Sequence, residues 1–215
     1  MSTFTAGRIE RLVAIGAHSD DIEIGCGATL RAIADAHPEC RMVWVVLTGD
    51  AERQWEARES AEAMFPGRPP TMVFGGMRDG HLPYAHATEA KELVHRVRDE
   101  HGADLVFTHH RADMHQDHRL CGDLAHQAFR GVAVLEYEIP KWDGDLTTPN
   151  LLVPVSPDAA RGKVDHLMRH FASQRGKGWF TPDLFIGLMR LRGVEAAAAS
   201  GFAEGFHARK LVWAP

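Results

Sequence analysis

Short apolar runs alternate with helix-spaced patterns through the first two thirds of the chain. Residues 11–17 (RLVAIGA), 41–47 (RMVWVVL), 71–74, 105–108 (LVFT) and 132–138 are rich in Val, Leu and Phe and bounded by Gly, Pro or Asp, as strands buried on both faces are. Between them lie helical stretches: 27–36 ends at His37-Pro38, 56–65 ends at Pro66-Gly67, and 88–101 sets Ala90, Leu93, Val94 and Val97 on one face before Gly102. A parallel strand pair needs a helix-length crossover, so this alternation predicts an α/β fold with a Rossmann-like, doubly wound, mainly parallel sheet. After Pro140 the pattern loosens into a turn-rich stretch (KWDGDLTTPN), a short strand at 151–154 and an amphipathic helix at 158–171 carrying Ala160, Val164, Leu167, Met168 and Phe171. A further helix starts near Pro182, which suits a first helical turn, and 209–213 reads as a closing strand. No repeat interrupts this order. We expect one domain over 1–215, with a core at 1–138 and a C-terminal α/β elaboration at 139–215 that shapes the pocket.

Charge and cysteine content narrow the partners. Against 29 acidic residues stand 24 basic ones, a net charge of −5, which disfavours gripping a phosphate backbone or an anionic lipid surface. We therefore expect no nucleic-acid and no membrane partner, and leave a homo-oligomer open. The three cysteines Cys26, Cys40 and Cys121 form no CxxC pair, so neither a disulfide framework nor a thiolate zinc cage is expected. With no signal-peptide pattern, the reading is cytoplasmic. Histidine is the unusual entry in the composition: of 14, nine fall between His81 and His126.

Two clusters carry candidate chemistry. His18, Ser19, Asp20 and Asp21 follow the first strand, and adjacent carboxylates repel unless a cation or a donor compensates them. A histidine and a carboxylate three residues apart on a turn can converge on one borderline ion such as Zn²⁺ and leave Asp20 free as a base. The plainer alternative is that Asp20 or Asp21 caps a following helix. HHRADMHQDH, after the fourth strand, packs four histidines and two aspartates into ten residues. Within it, one of His115 and His118 can meet a metal while a carboxylate orients an imidazole. Ligands in doubly wound sheets sit outside the carboxyl ends of the strands at the switch point, and the common 3-2-1-4-5 order makes strands one and four neighbours there. That order would bring the two clusters together.

AHSDDIEIGCGATL resembles the AHPDDxExGxGGTL signature of the PIG-L/LmbE-like zinc deacetylases, which remove acyl groups from amines of N-acetylated sugars and related conjugates. The resemblance continues in order through LTGD, AREsAEA around Arg58, FGGMRDGHLP around Asp79 and DLVFTHHRADMHQDHR, and so covers most of the chain. YEIPKWDGDL, FASQRGKGWF, LRGVE and AEGFHARKLV are similar to a subset of the family linked to polysaccharide and secondary-metabolite pathways.

The resemblance implies one zinc ion per chain, held by His18, Asp21 and His118, with Asp20 as general base. It implies His115, protonated and oriented by Asp117, facing the substrate carbonyl, and Arg58 or the nearby Arg53 as the site arginine. Asp79 and Trp142 are expected to contact substrate; His81, Tyr84 and His86 are weaker candidates for the pocket rim. Ser19 departs from the family's proline, which would stiffen the turn by fixing φ. Ala28 replaces the second glycine of GGT. The implied reaction is metal-assisted hydrolysis of an N-acyl amide on a small amino-sugar-like substrate. Three alternatives stand beside it: a deformylase or amidase acting on a non-sugar amide, Fe²⁺ or Co²⁺ in place of zinc, and a non-catalytic metal- or dinucleotide-binding module suggested by Gly25-Cys26-Gly27.

Overall fold

A computed structural model describes residues 7–212. Its strands are β1 (Arg11–Gly16), β2 (Arg41–Thr48), β3 (Thr71–Met77), β4 (Leu105–His109), β5 (Ala133–Tyr137), β6 (Leu151–Val155) and β7 (Phe202–Ala208). Its helices are α1 (Asp21–Ala36), α2 (Ala51–Met64), α3 (Leu82–Ala85), α4 (Ala87–His101), α5 (Gln116–Ala128), α6 (Pro157–His170) and α7 (Pro182–Glu195). The strands form one sheet in the order β3-β2-β1-β4-β5-β7-β6. The first five are parallel, and β7 runs antiparallel between β5 and β6. Strands one and four are thus hydrogen-bonded neighbours, with Leu12 opposite Leu105 and Ala14 opposite Phe107.

Successive side chains of β1 enter opposite layers, which is why the strand is apolar throughout. Leu12 and Ala14 join Trp44, Phe107 and Phe206 beneath α1, α2, α6 and α7, while Val13 and Ile15 join Val43, Val45 and Val106 beneath α4 and α5. Among the described residues no helix is long and apolar enough to cross a membrane.

Several elements depart from the expected pattern: α2 begins at Ala51 rather than residue 56, and α3 has no counterpart in it. The closing strand is Phe202–Ala208, not 209–213: Phe206 packs edge-on against Phe107 in the core, whereas Leu211 and Val212 are exposed and Trp213 lies outside the described residues. Residues 116–128, given no element from the pattern, form α5, whose buried face carries Cys121, Leu124, Ala125 and Ala128. Finally, α1 starts at Asp21 rather than Gly27, inside the first chemical cluster, and is kinked at Cys26. The C-terminal third serves the groups the kink frees. Glu204 accepts from Ala28 N and Thr29 N (3.1 and 2.7 Å), and Lys163 donates to Ile24 O at 2.6 Å and pairs with Glu204 at 2.5 Å. Gly25 sits at the bend because Tyr137 leaves no room: a Cβ there would fall 2.2 Å from the ring.

Candidate metal centre

The site is built where β1 and β4 end side by side. Thr48, at the end of β2, holds the chain leaving β1 by donating its N–H and hydroxyl to Ala17 O (2.9 and 2.7 Å). The turn then places His18 so that its own N–H donates to Asp21 Oδ2 at 2.6 Å. On the other strand, His115 caps α5 and His118 lies in its first turn. His18 Nδ1 comes to 3.1 Å from both Asp21 Oδ2 and His118 Nε2, and His118 Nε2 lies 3.6 Å from Asp21 Oδ2. Two imidazole nitrogens and one carboxylate oxygen converge with the spacing of a tetrahedral N/O site, in which bonds of about 2.0–2.2 Å put ligand atoms about 3.3 Å apart. Two imidazole nitrogens and a carboxylate oxygen are donors that suit a borderline cation such as Zn²⁺.

Each imidazole is aimed by a carboxylate on its far nitrogen, as metal-ligating histidines commonly are. His18 Nε2 meets Asp79 Oδ1 at 2.9 Å, and His118 Nδ1 meets Asp113 Oδ2 at 3.0 Å. His109, the last residue of β4, is fully buried and stacks on His118 with ring centroids 3.9 Å apart. Its Nε2 lies 3.0 Å from Asp21 Oδ2 and accepts Ala17 N–H at 3.0 Å. Three other groupings of ligand atoms exist around the same residues: His18 with His115 and His118, Asp21 with His109 and His118, and His18 with Asp79 and Asp117.

The charges at the centre are set by burial and by its own neighbours. Burial drives the His118 imidazole down to about 3, aided by nearby His109, so it is neutral with a lone pair to give. Burial opposes a charge on His18, yet Asp21, Asp117 and Asp79 together raise it well above its ordinary value. Burial likewise opposes ionisation of Asp21, but His109, His118 and His18 hold it well below the carboxylate range. Such a carboxylate-rich, desolvated cluster favours positive charge.

Asp20 lies beside the centre, 3% exposed, with Oδ1 receiving Arg53 Nη2 at 2.6 Å. Burial raises its pKa, Arg53 pulls it back and Asp21 raises it again, leaving a net increase. Arg53 is pinned from behind: its Nη1 donates to Ser173 Oγ at 3.0 Å, and Ser173 donates to both oxygens of Glu56. Of the two arginines considered from the sequence, Arg53 is the one that reaches Asp20. Arg58, one and a half turns further along α2, is exposed and rests 5.1 Å from the Phe74 ring centroid.

Asp117 does not orient His115 through its carboxylate. That group is fully buried and accepts Gly80 N–H and Leu82 N–H (2.7 and 3.1 Å), pulling the 79–82 segment and Asp79 toward His18. It is the Asp117 backbone N–H that meets His115 Nδ1, at 3.3 Å. Accepting there leaves the ring proton on Nε2. Burial and nearby His18 lower the His115 pKa. Its ring is T-shaped to His18 at 4.9 Å, and one of its nitrogens lies within 4.8 Å of His18 and His118 ligand atoms.

Asp79 is thus a partner of His18, while Trp142 is 72% exposed with its ring beside Gly178. Met114, next to His115, is also exposed. Of the weaker rim candidates, His86 pairs with Glu89 at 3.1 Å, His81 precedes α3, and Tyr84 is exposed. Sequence reasoning left His109 and Asp113 without roles. For Asp113 the usable signal was its place five residues before His118; for His109 it was a histidine ending a buried strand. Gly25 and Gly27, which suggested a dinucleotide loop, lie inside α1 with Gly25 against Tyr137.

Comparison with known proteins gives a consistent family. The family model described as "PIG-L: GlcNAc-PI de-N-acetylase" matches residues 13–129. The "uncharacterized deacetylase YaiS" of Escherichia coli (strain K12) is 31% identical over 147 residues, covering 63% of this chain and 77% of that protein. Among solved structures, the N,N'-diacetylchitobiose deacetylase of Pyrococcus horikoshii superposes with a TM-score of 0.72 at 21% identity, covering 93% of this chain and 83% of the other. GalB, the 4-carboxy-2-hydroxymuconate hydratase of Pseudomonas putida KT2440, superposes with a TM-score of 0.75 at 17% identity, covering 96% and 98%.

Proposed function

Because this chain belongs to the PIG-L (GlcNAc-PI de-N-acetylase) family, we propose that it is a zinc-dependent N-deacetylase. Its substrate is an N-acyl, most simply N-acetyl, amide on an amino sugar or sugar-containing metabolite, and its products are a carboxylate and a free amine. The observation that carries the reading is the convergence of His18 Nδ1, Asp21 Oδ2 and His118 Nε2 within 3.1–3.6 Å, with the second carboxylate of the Asp-Asp pair left beside them as a buried base. A fold shared with a hydratase does not decide the chemistry; the groups at the site do.

His18, Asp21 and His118 would hold the metal, one ion per chain. A zinc ion held there would supply Lewis acidity and acidify a nearby water. Asp20 takes the proton of the attacking water, for which its raised pKa is an asset, since a base works best with a pKa near the working pH. Arg53 keeps Asp20 in place and opposes the rise in its pKa. His115 presents its Nε2–H to the acyl oxygen as negative charge develops there, a form of stabilisation that is often the largest contribution in acyl transfer. As the carbon–oxygen bond forms and the carbon–nitrogen bond breaks, Asp20 returns the proton to the leaving amine. Trp142 and Met114, both exposed, would meet the carrier of the amide, and through Trp142 the C-terminal elaboration would shape the pocket.

The test is release of acetate together with free amine over a panel of N-acetylated hexosamines, nucleotide sugars and glycosylated metabolites, before and after chelation. Equimolar acetate and amine that vanish on chelation and return with Zn²⁺ support the reading. Turnover that survives exhaustive chelation, or hydration of a carbon–carbon double bond without amide cleavage, contradicts it.

A further inference from the structure

Behind His118 lies a buried ion-pair cluster to which the proposed reaction assigns no part. Lys141, on the loop that follows β5, has a side chain only 6% exposed. Its Nζ lies 2.9 Å from Asp113 Oδ1, 2.6 Å from Asp145 Oδ2 and 3.8 Å from Asp143 Oδ2. Both nearer carboxylates also hold the segment that carries the histidines. Asp113 Oδ2 meets His118 Nδ1 at 3.0 Å and Asp113 Oδ1 accepts His115 N–H at 2.7 Å, while Asp145 Oδ2 accepts Met114 N–H at 2.6 Å. One ammonium thus ties the 141–145 loop to the 113–118 segment through two carboxylates, and one of those touches the imidazole proposed to bind metal.

We infer that Lys141 is a positioning residue for the metal: by holding Asp113 against His118 Nδ1, it keeps His118 Nε2 bare and pointed at His18 and Asp21. The inference rests on the reading of His118 as a ligand and goes beyond it by giving the C-terminal elaboration a part in metal binding. The physical reason is the geometry of the charges. Without the ammonium, Asp113 and Asp145 would face each other as buried like charges, and Asp113 would lose the partner that fixes it opposite His118. A ligand's orientation depends on such outer partners, and losing one typically weakens metal binding by about 10- to 100-fold. A merely structural ion pair would instead loosen the fold without acting through Asp113.

The experiment is a Zn²⁺ titration of metal-free full-length protein against a chromophoric chelator, with folding followed by circular dichroism. Lys141→Gln is expected to raise the zinc Kd by about 10- to 100-fold, as outer-partner losses do, and Lys141→Arg, which keeps the charge at Asp113, to bind closer to wild type. Asp113→Asn combined with Lys141→Gln is expected to bind no more weakly than Asp113→Asn alone, because the lysine acts through that carboxylate. A folded Lys141→Gln with the wild-type Kd overturns the inference, and so does a double variant weakened by the full Lys141→Gln factor beyond Asp113→Asn. Should Lys141→Gln not fold, Lys141→Arg decides: near-wild-type affinity supports the inference, and a folded protein bound at least tenfold more weakly overturns it. His118→Ala separates the two levels. If it leaves zinc affinity intact, the metal reading itself fails; if it abolishes binding while Lys141→Gln does not weaken it, only the role of Lys141 fails.

Discussion

Replacing Arg53 with glutamine removes a guanidinium 2.6 Å from Asp20 Oδ1 while leaving every proposed metal ligand in place. Both side chains are largely shielded from water, at 17% and 4% exposure, so their attraction is only weakly screened. An arginine beside an aspartate lowers the carboxyl pKa by about 1–3 units, or about 1.4–4 kcal/mol at 1.36 kcal/mol per unit. The sign follows from the role. A base must be deprotonated to act, so activity falls as pH drops through the pKa of Asp20. Removing Arg53 raises that pKa, and the acid limb of the kcat/KM profile moves to higher pH by about one to three units. The assay is a pH–rate profile of acetate release by Arg53→Gln, beside wild type and Arg58→Gln. Thermal melts must accompany it, because breaking a buried pair can cost about 3–5 kcal/mol of stability. An Arg53→Gln limb that overlays the wild type would refute the assignment. So would an equal shift in Arg58→Gln, whose side chain is exposed over Phe74.

Other consequences follow from the same contacts. Asp20→Asn should lower kcat by about 10²- to 10⁴-fold, the contribution of a positioned base, while zinc content measured by mass spectrometry stays at wild type; undiminished turnover would dismiss Asp20 as the base. Gly25→Ala forces a Cβ to 2.2 Å from the Tyr137 ring, so Tm should fall by several degrees, in keeping with about 1–3 kcal/mol of overpacking; an unchanged melt would show that the kink of α1 yields freely. Burial opposes ionisation of Glu136, but His110, His126 and the Arg111 N–H hold it well below its ordinary 4.5. A carboxyl depressed in the folded state stabilises above its unfolded pKa and loses that contribution as pH falls through the folded one. Wild-type Tm should therefore drop below about pH 4.5, and Glu136→Gln should flatten that drop; parallel melting curves would count against it.

The first five strands and the adjacency of the two clusters were legible because buried parallel strands are apolar throughout and the 3-2-1-4-5 order is common. The two clusters stand out because chemistry at strand ends contrasts with apolar runs, whereas the choice of His18, Asp21 and His118 within them rests on the family resemblance. What stayed hidden depends on side chains meeting across the fold. Arg53 and Arg58 lie on one helix, and only the packing of Ser173 and Glu56 shows which turns inward. The family resemblance pairs Asp117 with His115, but the Asp117 carboxylate, in the first turn of α5, accepts the N–H groups of Gly80 and Leu82. His109 was passed over because nothing in its spacing says that its ring lies flat on His118. The misplaced closing strand has a similar cause. Leu211 and Val212 have strand-like composition, yet Phe206 and Glu204, which precede them, find the core partner and the buried lysine.

The central claim is the identity of the three metal ligands, and the most direct measurement is anomalous diffraction at the zinc edge from zinc-loaded crystals. The account predicts one strong peak per chain, about 2.0–2.2 Å from His18 Nδ1, Asp21 Oδ2 and His118 Nε2. A principal peak bound by His18 Nε2, Asp79 and Asp117, or by Asp21 with His109 and His118 but not His18, would contradict it.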